Sequence, residues 1–237
     1  MAVEQRAALV TAGARRVGRV LALKLAAAGY DIALHYFNSE VDAKNTACEV
    51  QELGRRCELI QADLLDKTAL SGMIKEALEK LPGLCVLVNN ASIWKAGRFM
   101  QSSSEELHEN LGIHLLAPYI LTRDLARYAR KGVVVNILDS NISRQHSDKF
   151  AYLLSKKSLY DFTLMAAAEL APDVRVNAIA PGLVLSPDGQ EQETQPLKNP
   201  LHRQGTPEDV AEALLFLVQS KHVTGQCIYL SGGKQLN

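Results

Sequence analysis

The chain has 237 residues, of which 47% are hydrophobic and 22% charged, and its 26 basic and 26 acidic side chains cancel. This length suits one domain over residues 1–237 with a large apolar core. Zero net charge argues against a nucleic-acid binder that relies on a basic surface. No apolar run reaches the roughly 18 residues of a transmembrane helix, no signal-peptide pattern precedes the first strand, and the four cysteines form no CxxC pair. We therefore expect a cytoplasmic protein without a metal, nucleic-acid or membrane partner.

Short apolar runs alternate with helical patterns along the whole chain. This alternation predicts βαβ units, hence a doubly wound α/β fold with a parallel sheet and helices on both faces. The segment 181–207 holds five of the eight prolines and is too long for an ordinary connection, which indicates a functional loop such as a lid. The predicted strands are 6–11, 32–36, 57–61, 84–88, 133–138, 174–179 and 226–230, and the predicted helices are 16–28, 39–53, 66–80, 105–130, 150–170 and one after Pro207.

The first strand runs directly into a turn that precedes a helix. Such a turn directs backbone N–H groups and a helix N-terminus at a pyrophosphate. The glycine pattern is incomplete, because Ala12 and Arg16 stand where glycines are expected. A tight turn that binds nothing is the alternative. The candidate cofactor-binding residues in this turn are Thr11, Gly13, Arg15, Arg16, Val17 and Gly18.

The end of the second strand bears on the choice of cofactor. An NAD enzyme of this architecture usually places an acidic residue there to hold the ribose 2′-hydroxyl, and none precedes Glu40. Arg15 and Arg16 are close to the same place, and Asn38 and Ser39 can donate hydrogen bonds. A 2′-phosphate would be stabilised by such groups, which favours NADPH over NADH. The alternative is that both arginines are solvated residues at a helix start.

Tyr152 and Lys156 lie four residues apart in a predicted helix, so they share one face. A nearby ammonium stabilises a phenolate and is expected to lower the tyrosine pKa from about 10 towards the working range. Asp139 ends a strand just upstream, at the sheet edge where ligands bind in open α/β folds. The spacing alone is common, so the motif depends on this context.

Two further motifs are Asn89-Asn90-Ala91-Ser92 after the fourth strand and Pro181-Gly182 after the sixth. With Thr11–Gly18 and the Tyr152/Lys156 pair, they resemble the short-chain dehydrogenase/reductase family over nearly the whole chain. The resemblance implies a seven-stranded Rossmann-type sheet, hydride transfer from a nicotinamide, and a homotetramer built on helices 105–130 and 150–170. It also implies that Tyr152 donates a proton while Lys156 binds the ribose and tunes the tyrosine. The other positions that it places along the cofactor are Asp63 near the adenine, then Asn90, Ala91, Ser92, Pro181 and Gly182.

Departures from the family pattern point to one of its branches. Asp139 stands where the family has a catalytic serine, which is similar to the pteridine and dihydromonapterin reductases, where an aspartate helps the tyrosine to protonate a C=N bond. Arg16 is shared with that branch. Trp94 is also shared, and its ring can stack on a flat heterocycle. The substrate-binding candidates are Arg16, Ser92, Trp94, Asp139 and Tyr152. The alternatives are that Asp139 braces a strand end and that Trp94 is packing.

His114 is a further departure, because most of the family has an asparagine that holds a proton-relaying water for the lysine. A ring nitrogen could hold the same water, which makes His114 a catalytic candidate beside Asp139, Tyr152 and Lys156. A hydrogen-bonded helix histidine without a catalytic part is the alternative.

The leading hypothesis is an NADPH-dependent reductase that delivers hydride to a C=N bond of a pterin or folate. The first alternative is a carbonyl reductase of 3-oxoacyl thioesters or small ketones, against which Asp139 counts. The second is an inactive protein that binds the cofactor as a sensor or an assembly partner, which intact Tyr152 and Lys156 disfavour.

Overall fold

The computed structural model describes residues 5–145, 148–185 and 199–236. Seven strands form one parallel sheet in the order β3-β2-β1-β4-β5-β6-β7, which confirms the predicted Rossmann-type fold. The strands are β1 Ala7–Val10, β2 Asp31–Tyr36, β3 Cys57–Gln61, β4 Leu84–Asn89, β5 Gly132–Ile137, β6 Val174–Pro181 and β7 Cys227–Leu230.

Helices cover both faces of the sheet, because the central strands are apolar on both sides and would otherwise expose one side to water. One apolar cluster packs α1, α2 and α7 on one face, and another packs α3, α5 and α6 on the opposite face. The helices are α1 Arg16–Ala27, α2 Glu40–Glu52, α3 Lys67–Lys80, α4 Ser104–Leu111, α5 Ala117–Tyr128, α6 Phe150–Leu170 and α7 Pro207–Gln219.

The predicted helix 105–130 is not one α-helix, and the expectation needs correction. α4 and α5 are joined by a π-helical turn over Gly112–Leu116, in which the N–H of Ala117 donates to the carbonyl of Gly112. Pro118 has no N–H to give to the carbonyl of residue 114, so the regular α-helical ladder cannot continue through this point. The widened turn buries His114 completely.

The strand order reverses between β1 and β4, so the connections that leave these two strands turn to opposite sides. This reversal opens a crevice at the carboxyl ends of the strands, where open α/β sheets bind ligands. The turn after β1, the segments after β4 and β5, and the start of α6 all lie at this edge.

The predicted lid is only partly within the described residues. β6 continues through Pro181, and Thr206 caps α7 by accepting a hydrogen bond from the N–H of Asp209. Residues 186–198 lie outside the described part, as do 146 and 147. None of the helices in the described ranges is long and apolar enough to cross a membrane.

Candidate active site

The turn after β1 adopts the backbone conformation that its sequence only partly suggests. Ala12 and Arg16, the residues that stand at expected glycine positions, have φ angles of 49° and 54°. These angles lie in the left-handed region, which costs a residue with a Cβ about 1–2 kcal/mol. The turn therefore has glycine-like geometry without glycine at either position.

Thr11 and Asn90 hold this turn against the end of β4. The Thr11 hydroxyl accepts hydrogen bonds from the N–H groups of Asn90 and Ala91 at 2.9 and 3.0 Å. The Asn90 side chain donates to the carbonyls of Thr11 and Ala12 at 3.0 and 3.2 Å. Thr11 and Gly13 are buried behind the turn, so their contribution to a cofactor site is to shape the backbone.

His35 is a residue that positions the turn and that the sequence analysis missed. Its Nδ1 accepts from the N–H of Ala12 at 3.0 Å, so Nε2 carries the proton and donates to the carbonyl of Ala62 at 3.1 Å. Burial lowers the pKa of His35 and keeps the ring neutral, as the Ala12 bond requires. The available signal was a polar residue within the buried strand β2.

Two adjoining cavities occupy the crevice. The smaller, which we call the turn cavity, has a volume of about 250 Å³. Its walls bring together predicted cofactor-binding residues from four segments: Arg15, Asn38, Ser39, Asp63, Ala91 and Ser92. The larger, the tyrosine cavity of about 470 Å³, is lined by Arg16, Val17, Gly18, Asn90, Trp94, Asp139, Tyr152, Lys156, Pro181 and Gly182, and Arg15 and Ser92 line both.

The start of α1 packs closely against the turn after β1 because residue 18 is glycine. A Cβ on Gly18 would lie 2.1 Å from the carbonyl oxygen of Ala12 and 2.7 Å from Nδ2 of Asn90. The close approach of backbone at this point is the arrangement that a pyrophosphate site at a helix start requires. The residues present thus fit a nicotinamide dinucleotide.

The Tyr152 hydroxyl donates a hydrogen bond to Oδ2 of Asp139 at 2.9 Å. The other carboxylate oxygen of Asp139 accepts from the N–H of Asn141 at 2.7 Å, which caps a short 3₁₀ helix over Ser140–Ser143. Asp139 therefore braces the strand end and contacts the tyrosine at once. The strand-end role, which the sequence analysis gave as an alternative, is thus compatible with the contact to Tyr152, and a catalytic role of Asp139 stays a prediction.

The pKa of Tyr152 is shifted in the direction opposite to the expected one. Burial and the adjacent Asp139 raise it well above the ordinary value. Lys156 lies 5.8 Å from the centroid of the tyrosine ring, and its Nζ donates to the carbonyl of Ile137 at 2.8 Å. In this state Tyr152 is protonated, and its hydroxyl hydrogen is directed to Asp139.

Lys156 is buried, and desolvation lowers its pKa to about 8, although Asp139 opposes the change.

A chain of buried polar side chains holds α6, the helix of Tyr152 and Lys156, against the sheet. Nδ2 of Asn89 donates to Oδ1 of Asn136 at 2.7 Å, and Nδ2 of Asn136 donates to the Thr163 hydroxyl at 2.9 Å. This chain joins β4, β5 and α6, and so fixes Tyr152 and Lys156 relative to the sheet. Asn136, a polar residue inside the otherwise apolar strand β5, was the sequence signal for this hydrogen-bonded chain.

His114 connects three parts of the site. The N–H of Ile93 donates to its Nε2 at 3.2 Å, so the proton is on Nδ1, which lies 2.8 Å from the Ser155 hydroxyl. The Ser92 hydroxyl lies 3.0 Å from Nε2 and is the donor of that bond. Both ring nitrogens thus have protein partners, and neither is directed to Lys156 as the relay hypothesis required.

Because burial lowers the pKa of His114 to about 2, the ring is neutral in the folded protein. We expect His114→Ala to lower the free energy of unfolding at pH 7.5 by about 2–4 kcal/mol, since it opens a cavity and leaves the Ile93 N–H unpaired. The stabilisation is complete above the unfolded-state pKa of about 6.5 and decreases by about 1.4 kcal/mol per pH unit below it, because only the unfolded chain binds the proton.

Urea unfolding of both proteins between pH 5 and pH 8 measures this difference. His108→Ala is the matched control, because His108 is exposed on the preceding helix; we expect a change within about 0.5 kcal/mol. A His114 contribution that grew as the pH fell would contradict the neutral ring.

The remaining candidate, Trp94, is 45% exposed, and Nζ of Lys149 lies 3.8 Å from the centroid of its ring.

The described residues contain no cluster of side chains that could hold a metal ion.

A family model described as Enoyl-(Acyl carrier protein) reductase, of the short-chain type, matches residues 12–235. The chain belongs to the short-chain dehydrogenase/reductase family. A 3-oxoacyl-[acyl-carrier-protein] reductase, FabG, of Staphylococcus aureus is 32% identical to it over 241 residues, which cover 96% of this chain and 97% of the relative.

Solved structures of the family are also similar. FolM alternative dihydrofolate reductase 1 from Brucella suis, in complex with NADP, superimposes with a TM-score of 0.93 at 32% identity, over 99% of this chain and 97% of that chain. Acetoin dehydrogenase YohF from Salmonella typhimurium superimposes with a TM-score of 0.88 at 26% identity, over 98% of this chain and 96% of that chain. This short-chain dehydrogenase/reductase is thus an oxidoreductase with relatives of differing substrates.

Proposed function

We propose that the protein is an NADPH-dependent reductase of a C=N bond in a dihydropterin or dihydrofolate. The observation that carries the proposal is the 2.9 Å hydrogen bond from the Tyr152 hydroxyl to Asp139. A carboxylate in this place supports proton delivery to a ring nitrogen, whereas a serine hydroxyl is the usual donor to a carbonyl oxygen. The similarity to a FolM alternative dihydrofolate reductase supports the same substrate class.

Reduction of a C=N bond adds a hydride to carbon and a proton to nitrogen. A bound nicotinamide supplies the hydride. Tyr152 is protonated because its pKa is raised. It gives its hydroxyl proton to the ring nitrogen, which becomes strongly basic as the hydride adds to the neighbouring carbon. Asp139 orients that hydroxyl and lies on the path by which a solvent proton returns to it. The Lys156 ammonium stabilises the phenolate that forms in between.

The alternative function is reduction of 3-oxoacyl thioesters, which the 32% identity to FabG supports. NADPH oxidation assayed with dihydrobiopterin, dihydromonapterin, dihydrofolate and an acetoacetyl thioester separates the two. We expect turnover of the C=N substrates to exceed that of the thioester by at least about tenfold in kcat/KM. Preferred turnover of the thioester would establish the alternative.

The preference for NADPH is proposed from the charges around the turn cavity. Arg15 lines this cavity with Asn38 and Ser39, and Arg16 lines the adjoining tyrosine cavity. A charge-assisted contact to a phosphate contributes about 1.5–3 kcal/mol, so NADPH should bind at least about tenfold more tightly than NADH. Titration calorimetry measures both affinities, and Arg15→Gln should reduce the difference. Equal affinities in the unmodified protein would refute the preference.

We further propose a homotetramer built on α5 and α6, as in the family pattern. These helices expose large apolar side chains, among them Tyr119, Leu154 and Met165, which are 47%, 40% and 72% exposed. Exposed apolar surface of this kind is typical of a subunit interface. Sedimentation velocity at micromolar concentration should give a tetramer, and Met165→Glu should shift the distribution to smaller species. A monomer at that concentration would contradict the assembly.

A further inference from the structure

A third cavity opens beside the tyrosine cavity and shares Asp139 and Tyr152 with it. Its volume is about 750 Å³. We call it the basic cavity, because four cationic side chains line it: Arg98, Arg144, Lys149 and Lys234. These residues come from the segment after β4, the segment after β5, the start of α6 and the C-terminal segment, so the fold brings them together from distant parts of the sequence.

The charge of this cavity is not balanced by its own walls. Among the described lining residues only Asp139 and Asp148 are acidic, and Asp139 already accepts bonds from Tyr152 and Asn141. Within the described ranges, no ion pair involves Arg98, Arg144 or Lys234. Cations that converge on one cavity from separate elements favour an anionic ligand.

The same cavity also has an aromatic wall. Phe99 and Phe150 form an edge-to-face pair with ring centroids 4.9 Å apart, and both line the cavity. Phe99 is 66% exposed, although a large apolar ring usually gains free energy from burial. A flat apolar group bound beside Tyr152 would cover it.

We propose that the basic cavity binds the p-aminobenzoylglutamate tail of a dihydrofolate, with the aryl ring on Phe99 and Phe150 and the carboxylates on Arg98, Arg144 and Lys234. The inference rests on the proposed function, because it places the pterin ring at Tyr152 and Asp139. Since these two residues line both cavities, a tail that leaves the pterin ring can enter the basic cavity directly. The protein then selects carboxylated aryl pterins over pterins with short neutral tails.

The test compares steady-state kinetics with dihydrofolate and with dihydrobiopterin, whose tail is neutral. For Arg144→Gln and Arg98→Gln we expect KM for dihydrofolate to rise about five- to tenfold, with kcat and the KM for dihydrobiopterin little changed. Raising the salt from about 0.05 to about 0.5 M should raise the KM for dihydrofolate alone. Lys221→Gln is the control, because Lys221 is exposed in the turn before β7 and lines none of the three cavities.

A direct binding measurement keeps this inference separate from the proposed function. Calorimetry with p-aminobenzoylglutamate on the protein with NADP⁺ should show saturable binding, weakened at least about fivefold in the Arg98→Gln, Arg144→Gln double variant. Saturable binding without turnover of any dihydropterin would uphold the tail site and refute the proposed function. Turnover of both substrates with equal responses to the arginine variants, or no saturable binding of the tail, would overturn the tail site.

Discussion

Tyr152→Phe should reduce turnover of the dihydropterin or dihydrofolate substrate by at least the 10²- to 10⁴-fold that is typical of a general acid. The variant removes the hydroxyl that lies 2.9 Å from Asp139 and leaves the ring, so packing against His114 is preserved. Asp139→Ala should lower turnover by a similar factor, because the tyrosine loses both its oriented acceptor and its proton return path. Since Asp139 lies at the substrate side, the affinity for NADPH should change little in Asp139→Ala.

Single-turnover NADPH oxidation measures the effect on turnover, and cofactor titration measures the effect on NADPH affinity.

Asp139→Asn adds a pH test, because the carboxylate of Asp139 raises the pKa of Lys156 and so opposes the lowering by desolvation. Without that carboxylate the lysine loses its proton at lower pH. The alkaline limb of activity, expected near pH 8 in the unmodified protein, should therefore move to lower pH. Full activity of Asp139→Ser towards pterins would contradict a specific role of the carboxylate.

Gly18→Ala should weaken NADPH binding by about 10- to 10²-fold, which corresponds to the loss of one hydrogen bond of about 1.5–3 kcal/mol to a charged phosphate. The new Cβ would meet the carbonyl oxygen of Ala12 at 2.1 Å and the Asn90 amide at 2.7 Å. The Ala12 oxygen is backbone of the turn, and the Asn90 amide is held in place by its hydrogen bonds to the carbonyls of Thr11 and Ala12. The turn must move, and the backbone groups that face a pyrophosphate move with it.

Gly72→Ala is the matched control, because Gly72 lies in α3 with no atom within 4 Å of its ideal Cβ. We expect it to leave the affinity for NADPH unchanged and to stabilise the protein by about 0.5–1 kcal/mol. Calorimetric titration and thermal unfolding of the two variants measure these effects. Unchanged cofactor affinity in Gly18→Ala would mean that the turn does not contact the dinucleotide.

The strands and most helices could be predicted because their signals are local. The segment 57–61 is a strand over the predicted residues, and α6 has its predicted bounds, since apolar runs, glycines and prolines mark such elements directly. The π turn at Gly112–Leu116 could not be predicted in this way. Pro118 is compatible either with the start of a new helix or with a widened turn inside a longer one. The packing around His114 selects the widened turn, and that packing is not visible in the local sequence.

The parts of the site that were missed depend on contacts between distant residues. His35 bonds Ala12 and Ala62, and Asn136 connects Asn89 with Thr163, so neither role is visible in a local pattern. The pKa of Tyr152 was expected to fall because a lysine is four residues away. It rises because of burial and the Asp139 contact, while the lysine Nζ bonds the carbonyl of Ile137 and not the phenol. These contacts depend on the folded arrangement.

At Arg16 the left-handed backbone lowers the stability of the fold, while the side chain lines the tyrosine cavity. A glycine there would relieve about 1–2 kcal/mol of conformational strain, of which about 0.5–1 kcal/mol is offset by the greater entropy of the unfolded chain. It would also remove a guanidinium from the wall of the tyrosine cavity. A selection for thermal stability alone would therefore favour Arg16→Gly, and a selection for turnover would oppose it. At position 16 a more heat-resistant variant is therefore expected to be the poorer enzyme.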